Sequence, residues 1–180
     1  MRIYRFRVLI DDPSEAFRDI EIGSDQTFLE FHQAIKEAFG FKGDEMACFY
    51  VSDEEWSKGP EVPLADMGFA EEGGIPPALM HDVYISDHMR STDQRFVYAY
   101  DYLHMWMFLI ELIGAFDPDE RETYPRVVLA MGEAPDEKSR ELDLTGDVNA
   151  IYTDDEDPYA EDNDEDLGHE NIDDLGEEYQ

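Results

Sequence analysis

The chain is poor in three things, and each scarcity excludes a class of protein. It has one cysteine, Cys48, in 180 residues. No internal disulfide can staple it, and a reducing cytoplasm is the expected compartment. No apolar stretch is longer than the six residues of Met105 to Ile110, far too short for a helix that spans a bilayer. The opening Met1-Arg2-Ile3-Tyr4-Arg5-Phe6-Arg7 is interrupted by charge at positions 2, 5 and 7 and does not read as a signal peptide. Basic residues number 13 against 46 acids, a formal net charge of −33. Such a chain repels nucleic-acid backbones and anionic membranes, so neither is an expected partner. Neither GxSxG nor GxxxxGK[ST] occurs, and no cofactor is expected.

What is present divides the chain in two. Residues 136–180 hold 19 acids against Lys138 and Arg140 alone, and residues 151–180 hold 14 acids with no Lys or Arg. Their apolar residues stand singly, too few to offset the entropy of ordering. The expectation is a folded domain over 1–135 and a disordered acidic tail over 136–180, with a short docked piece around Leu142 to Ile151. Aromatic residues, 13 % of the chain, concentrate in the body and supply a core. Because the body itself is acidic, the expected occupant of the tail is an external basic protein, through Asp154, Asp155, Glu156 and Asp157; simple solubility is the other reading.

Within the body, Ile3 to Ile10 alternates, with Tyr4, Phe6, Val8 and Ile10 on one face and arginines on the other. Asp11-Asp12-Pro13-Ser14 is turn chemistry, and residues 17–22 alternate again, which predicts a β-hairpin. Thr27 with Glu30 has the capping-box form, and Phe28, Phe31, Ile35 and Phe39 follow at helical spacing up to Gly40. Residues 46–51 predict a strand. Residues 52–77 predict a long loop anchored by Trp56 and Leu64, and 82–86 a short strand or a helix start. Residues 95–113 predict a second hairpin turning near Tyr102-Leu103-His104, its second strand central and covered on both faces. A last strand is expected over 124–129, with Pro125 at its start or on an edge. The fold class is α+β, an antiparallel or mixed sheet beginning ββα.

These elements, in order, resemble the Ri-plasmid ORF-3-like family, which also occurs as passenger proteins on mobile elements. The resemblance rests on Tyr4, Phe6, Val8, Leu9 and Pro13; on Phe17-Arg18-Asp19-Ile20; and on Thr27-Phe28 with Phe31-His32-Gln33-Ala34-Ile35 and Ala38-Phe39-Gly40-Phe41. It continues through Tyr98-x-Tyr100-Asp101-Tyr102 with Trp106, and Tyr124-Pro125 with Gly132-Glu133-Ala134-Pro135. In the hairpin, Leu103, His104 and Phe108 stand where the family has Gly, Asp and His, so of its polar Asp/His set only Asp101 remains. The family's Pro-Pro-Glu-Asp-x-Gly-Gly ending is missing after Pro135. The resemblance implies an α+β fold and no established reaction.

Candidate chemistry is sparse. Asp101, His104 and His88 are the catalytic candidates, for a hydrolytic or metal-dependent site that needs all three in one cleft. His81, Asp82, Asp87 and His88 lack the spacing of a known metal site. Ser86-Asp87-His88 is contiguous, which is not how triads are built. Asp162, Asp164 and Asp166 imitate a calcium loop, but the Gly falls one place late and Asp173 stands at the twelfth position. Cys48 reads as a buried small hydrophobe, and His32 as a core-edge histidine. Arg2, Arg5 and Arg7 read as a strand face paired with carboxylates.

Overall fold

The computed structural model describes residues 1–68 and 73–142. The tail acids Asp154, Asp155, Glu156, Asp157, Asp162, Asp164 and Asp166, and the disorder expected around them, lie outside the described residues. The compact unit runs from Met1 to Asp143, past Pro135. Among the described residues no helix is long and apolar enough to cross a membrane.

β1 (Ile3–Ile10) and β2 (Phe17–Gly23) pair antiparallel, with Arg5 opposite Glu21 and Arg7 opposite Asp19. The turn closes on Asp12, whose carboxylate accepts from the Ser14 N–H at 3.0 Å. α1 (Phe28–Phe39) starts at a complete capping box. The Glu30 N–H donates to the Thr27 hydroxyl at 3.2 Å, and the Thr27 N–H donates to the Glu30 carboxylate at 2.7 Å. It stops at Gly40, whose φ of 73° closes the last turn onto the Glu37 and Lys36 carbonyls. Phe28, Phe31, His32, Ile35 and Phe39 form its buried stripe.

The remaining strands are β3 (Ala47–Ser52), β4 (Lys58–Pro63), β5 (Arg95–Tyr100), β6 (Trp106–Phe116) and β7 (Arg126–Met131). They join the hairpin in one sheet ordered β4-β3-β5-β6-β1-β2-β7, every neighbouring pair antiparallel. The fold is α+β, and α1 is the only α-helix among the described residues. The stretch 82–86 forms a single bridge, Thr27 to Tyr84, then a short 3-10 helix, Ile85–His88. Within 105–113, residues 106–113 lie in β6, not in a helix, and Met105 belongs to the turn before it.

Two expectations are corrected. The loop expected over 52–77 contains β4, whose Gly59, Pro60 and Pro63 read as breakers. They are tolerated because β4 is an edge, where one side of the backbone needs no partner. β6 is central, as expected, but only one face is covered. Trp106, Phe108 and Ile110 are buried, while Met107, Leu109 and Glu111 on the other face are half-buried.

The covered face is aromatic. Phe31 stacks on Phe49 at 5.5 Å, Phe6 meets Phe31 at 5.2 Å, and Phe39 meets Phe108 at 5.0 Å. Because side chains alternate across a pleat, the opposite face carries the intervening positions. There Tyr50, Val97, Leu109, Leu9, Phe17 and Met131 stand in one register row across six strands. The next row reads Ser52, Arg95, Glu111, Arg7, Asp19 and Leu129.

His32 sits in the covered layer, 5 % exposed, sharing a 2.7 Å hydrogen bond with the Tyr98 hydroxyl. Burial, helped by Lys36, pushes its pKa down to about 4. The folded state therefore holds a neutral imidazole that the unfolded chain protonates below about 6.5. Its contribution is complete above pH 6.5 and is lost as pH falls toward 4. The expected loss at pH 5 is about 2 kcal/mol relative to pH 7. Urea midpoints of wild type and His32→Gln at the two pH values check this. The variant should show a smaller drop, and an equal drop would contradict a buried neutral His32.

Candidate functional site

The β5–β6 turn brings two of the three catalytic candidates together. Asp101, 4 % exposed, has a φ of 57°, a left-handed conformation that Asp tolerates better than most residues. Its carboxylate accepts from the Leu103 and His104 N–H groups at 3.1 and 3.3 Å, and meets the His104 Nδ1 at 2.5 Å. His88 is elsewhere. It packs edge-on against Phe28 at 5.8 Å, beside the first residue of α1, and burial lowers its pKa. The Asp101 turn faces Lys42 and Gly43, just past the last residue of α1. Twelve helical residues, about 18 Å, separate the two ends. The cleft that needs Asp101, His104 and His88 in mutual reach does not form.

Glu137 and Arg140 complete the turn. The Glu137 carboxylate accepts from the Lys42 N–H at 2.7 Å, the Gly43 N–H at 2.8 Å and the Tyr100 hydroxyl at 3.1 Å. Its carbonyl accepts from the Trp106 indole at 3.0 Å. The Arg140 guanidinium lies over the Trp106 ring at 4.2 Å and donates to the carbonyls of Met105 at 2.6 Å, Asp11 at 3.2 Å and His104 at 3.3 Å. Lys42, Gly43, Glu45, Asp101, His104, Glu137 and Lys138 line a depression of about 270 Å³. The Asp101–His104 pair can hold an imidazole in one orientation, as a general base requires. None of the lining residues is a Ser, Thr or Cys for it to activate. The turn's polar groups cap backbone N–H groups, and the 136–140 segment clasps it. In the sequence the 136–140 clasp sits within the acidic tail, where Lys138 and Arg140, the only Lys and Arg of 136–180, are the signal that marks it.

The other candidates resolve individually. Asp87 accepts from the Tyr84 N–H at 2.8 Å as a turn cap, and His81 meets Asp82 at 3.2 Å on the surface. Among the described residues, no group of three or more His, Cys, Asp or Glu side chains is placed to hold a metal ion. Cys48, 1 % exposed, forms the floor of a cavity of about 430 Å³ with Tyr50, Glu61 and Tyr102. Burial pushes its thiol up to about 11 and the Tyr102 phenol up to about 12, so both stay protonated at neutral pH.

The arginine cluster is engaged internally. Arg7 makes two 2.9 Å bonds to Asp19. Glu21 receives Arg5 at 2.6 Å and Arg126 at 2.8 Å, and Arg126 also meets Glu122 at 2.6 Å. Burial alone would raise the Glu21 pKa, but the bonds from Arg5 and Arg126 outweigh it and hold the carboxyl below its usual range. The Arg5 and Arg7 guanidinium groups also cover the rings of Phe116 and Phe17 at 4.6 and 4.4 Å.

A family model described as Plasmid pRiA4b ORF-3-like protein matches residues 2–175. No curated protein matches the chain. Among solved structures, the chain is similar to the crystal structure of a protein of unknown function, MM3350, from Methanosarcina mazei Go1. The identity is 19 %, the TM-score 0.65, and the match covers 78 % of this chain and 76 % of that one. At that identity the likeness is one of fold alone.

The clasp carries a prediction. Replacing Glu137 by Ala removes the acceptor of three donors, two of them backbone, and should cost about 1–3 kcal/mol. A urea midpoint within error of wild type would show that the 136–140 segment does not hold the turn.

Proposed function

The chain belongs to the plasmid pRiA4b ORF-3-like family, and from that premise we propose that it is a non-enzymatic interaction module whose acidic surface and C-terminal acids receive a basic protein. The observation that carries this reading is the fate of the cations. Arg2, Arg5, Arg7, Lys36, Arg126 and Arg140 each lie within 4.0 Å of a carboxylate of the same chain. Arg18 is turned inward onto the carbonyls of Phe17, Ala38, Met131 and Gly132. With seven of its 13 cations answered within the chain, a protein of net charge −33 presents an outward field that is negative. Such a field steers a basic partner to the surface and turns phosphate backbones away. The same engagement of Arg5 and Arg7 argues against a direct nucleic-acid role for that cluster, and a cytoplasmic protein accords with the single buried thiol.

A second reading, a hydrolytic or metal-dependent site near Asp101 and His104, is favoured by their 2.5 Å contact. No Ser, Thr or Cys lines the depression beside the pair.

Fluorescence titration of the full-length protein with a lysine-only peptide tests the proposal. Binding is expected at about 0.05 M salt and should weaken by an order of magnitude or more at about 0.5 M. Neutralising Asp154, Asp155, Glu156 and Asp157 together, to Asn or Gln, should weaken it several-fold. No binding at low salt, or binding indifferent to salt, would overturn the reading.

A further inference from the structure

The two edges of the sheet are built differently. β4, at one end, carries Lys58, Pro60 and Pro63, and a Cβ on its Gly59 would stand 2.5 Å from the Val51 carbonyl. Lysine and proline are the usual means by which an edge is closed to further pairing. β7, at the other end, reads Arg-Val-Val-Leu-Ala-Met, with no proline or lysine. Its Val127, Val128, Leu129 and Met131 are 36–50 % exposed. Among the described residues nothing pairs with its outer side. Its one charged residue, Arg126, is turned back onto Glu21 and Glu122. An open apolar edge is an association hazard, and natural chains rarely leave one without use.

A groove of about 540 Å³ opens beside the start of this edge. It is lined by Ala34, Ala38, Glu30 and Glu37 on the helix side and by Arg126 and Val127 on the strand side. It is held at both ends. Near the start of β7, the Gln26 amide donates to the Tyr124 carbonyl at 2.8 Å and to Glu30 at 3.0 Å. Near its end, Arg18 donates to Ala38 at 3.0 Å, to Met131 at 2.9 Å and to Gly132 at 3.2 Å, and its guanidinium lies over the Phe39 ring. Between these ties the helix and the edge strand stand apart, over small side chains. A groove between a helix and an unpaired edge is the geometry in which a peptide adds as a further strand. Main-chain hydrogen bonds supply affinity, and alternate side chains enter the groove.

We infer that this groove takes an extended, alternating basic and apolar segment of the partner as an eighth strand beside β7. Six residues of edge, about 20 Å, set the length of the paired segment. Side chains on the helix-facing side meet Ala34, Ala38 and Val127, which leave room for a branched apolar group. Lysine or arginine stems follow the same surface to the exposed Glu37 and to Glu30. Side chains on the other face extend the apolar row at Leu129 and Met131. Glu30 and Glu37 outnumber Arg126, which is itself held by Glu21 and Glu122, so the groove disfavours an acidic segment. A second copy would bring −33 against −33. The inference rests on the basic-partner reading above and gives it a location.

The test uses the full-length protein and a fluorescent peptide of about ten residues alternating lysine and valine, with the lysine-only peptide alongside. The alternating peptide is expected to bind more tightly than the lysine-only one. Val127→Lys should weaken it at least tenfold, and Glu37→Lys, an exposed helical change that leaves the core untouched, several-fold. Glu61→Lys at the opposite edge should have no more effect on the alternating peptide than on the lysine-only one. Circular dichroism and melting confirm that each variant is folded. If Val127→Lys and Glu37→Lys bind like Glu61→Lys, the groove is wrong while the basic-partner reading stands. If neither peptide binds wild type, both fall. If wild type sediments as a dimer that Val127→Lys dissociates, the occupant is a second copy and the inference is overturned.

Discussion

One twelve-residue helix serves a seven-stranded sheet, and most features of the molecule follow from that disproportion. Seven strands at about 4.8 Å spacing span roughly 29 Å, whereas a helix with its side chains is about 10–12 Å across. The aromatic stripe of α1 therefore covers the middle of one face only. Segments 41–46 and 78–90 pack around it, with Phe41, Met80, Val83 and Ile85 buried. The other face, and the outer side of β7, are left to be settled by other means.

On the helix-free face those means are ionic. Asp19 and Glu21 are themselves nearly buried, at 4 % exposure each, and each is held by guanidinium donors from neighbouring strands. Taking away one partner of such a pair leaves a buried charge uncompensated, which costs far more than the pair contributes. The ladder thus fixes the register of β1, β2 and β7 and keeps this face from slipping. It also answers Arg5, Arg7 and Arg126 with carboxylates of the same chain.

Where period and capping agree, the sequence was legible. Thr27, Glu30 and Gly40 marked the helix ends, and the alternation of 3–10 and 95–100 marked strands, because the local signals and the tertiary fold ask for the same thing. The sidedness of β6 was not legible. Met107 and Leu109 are apolar although their face has no helix over it, so the strand read as covered on both sides. β4 was hidden by Gly59, Pro60 and Pro63, residues that mean a loop in a central strand and a closed edge in a terminal one. At the candidate site, the Asp101–His104 contact follows from a three-residue turn and could be read locally. The distance to His88 depends on how the 78–90 segment lies along α1, which no local pattern encodes. Glu137 and Arg140 were masked by the acidic run in which they sit.

On the proposed docking, β7 is an open edge which a basic strand closes. Amide hydrogen exchange of residues 126–131 in the full-length protein, alone and saturated with the alternating lysine–valine peptide, tests it most directly. In the free protein the outward-facing amides should exchange fast relative to those of β1 and β6, and they should become protected when the peptide is bound. Outward-facing amides of β7 that are already protected in the free protein, or that remain unprotected at saturation, would overturn that docking, whereas the inward-facing ones are protected by β2 in either case.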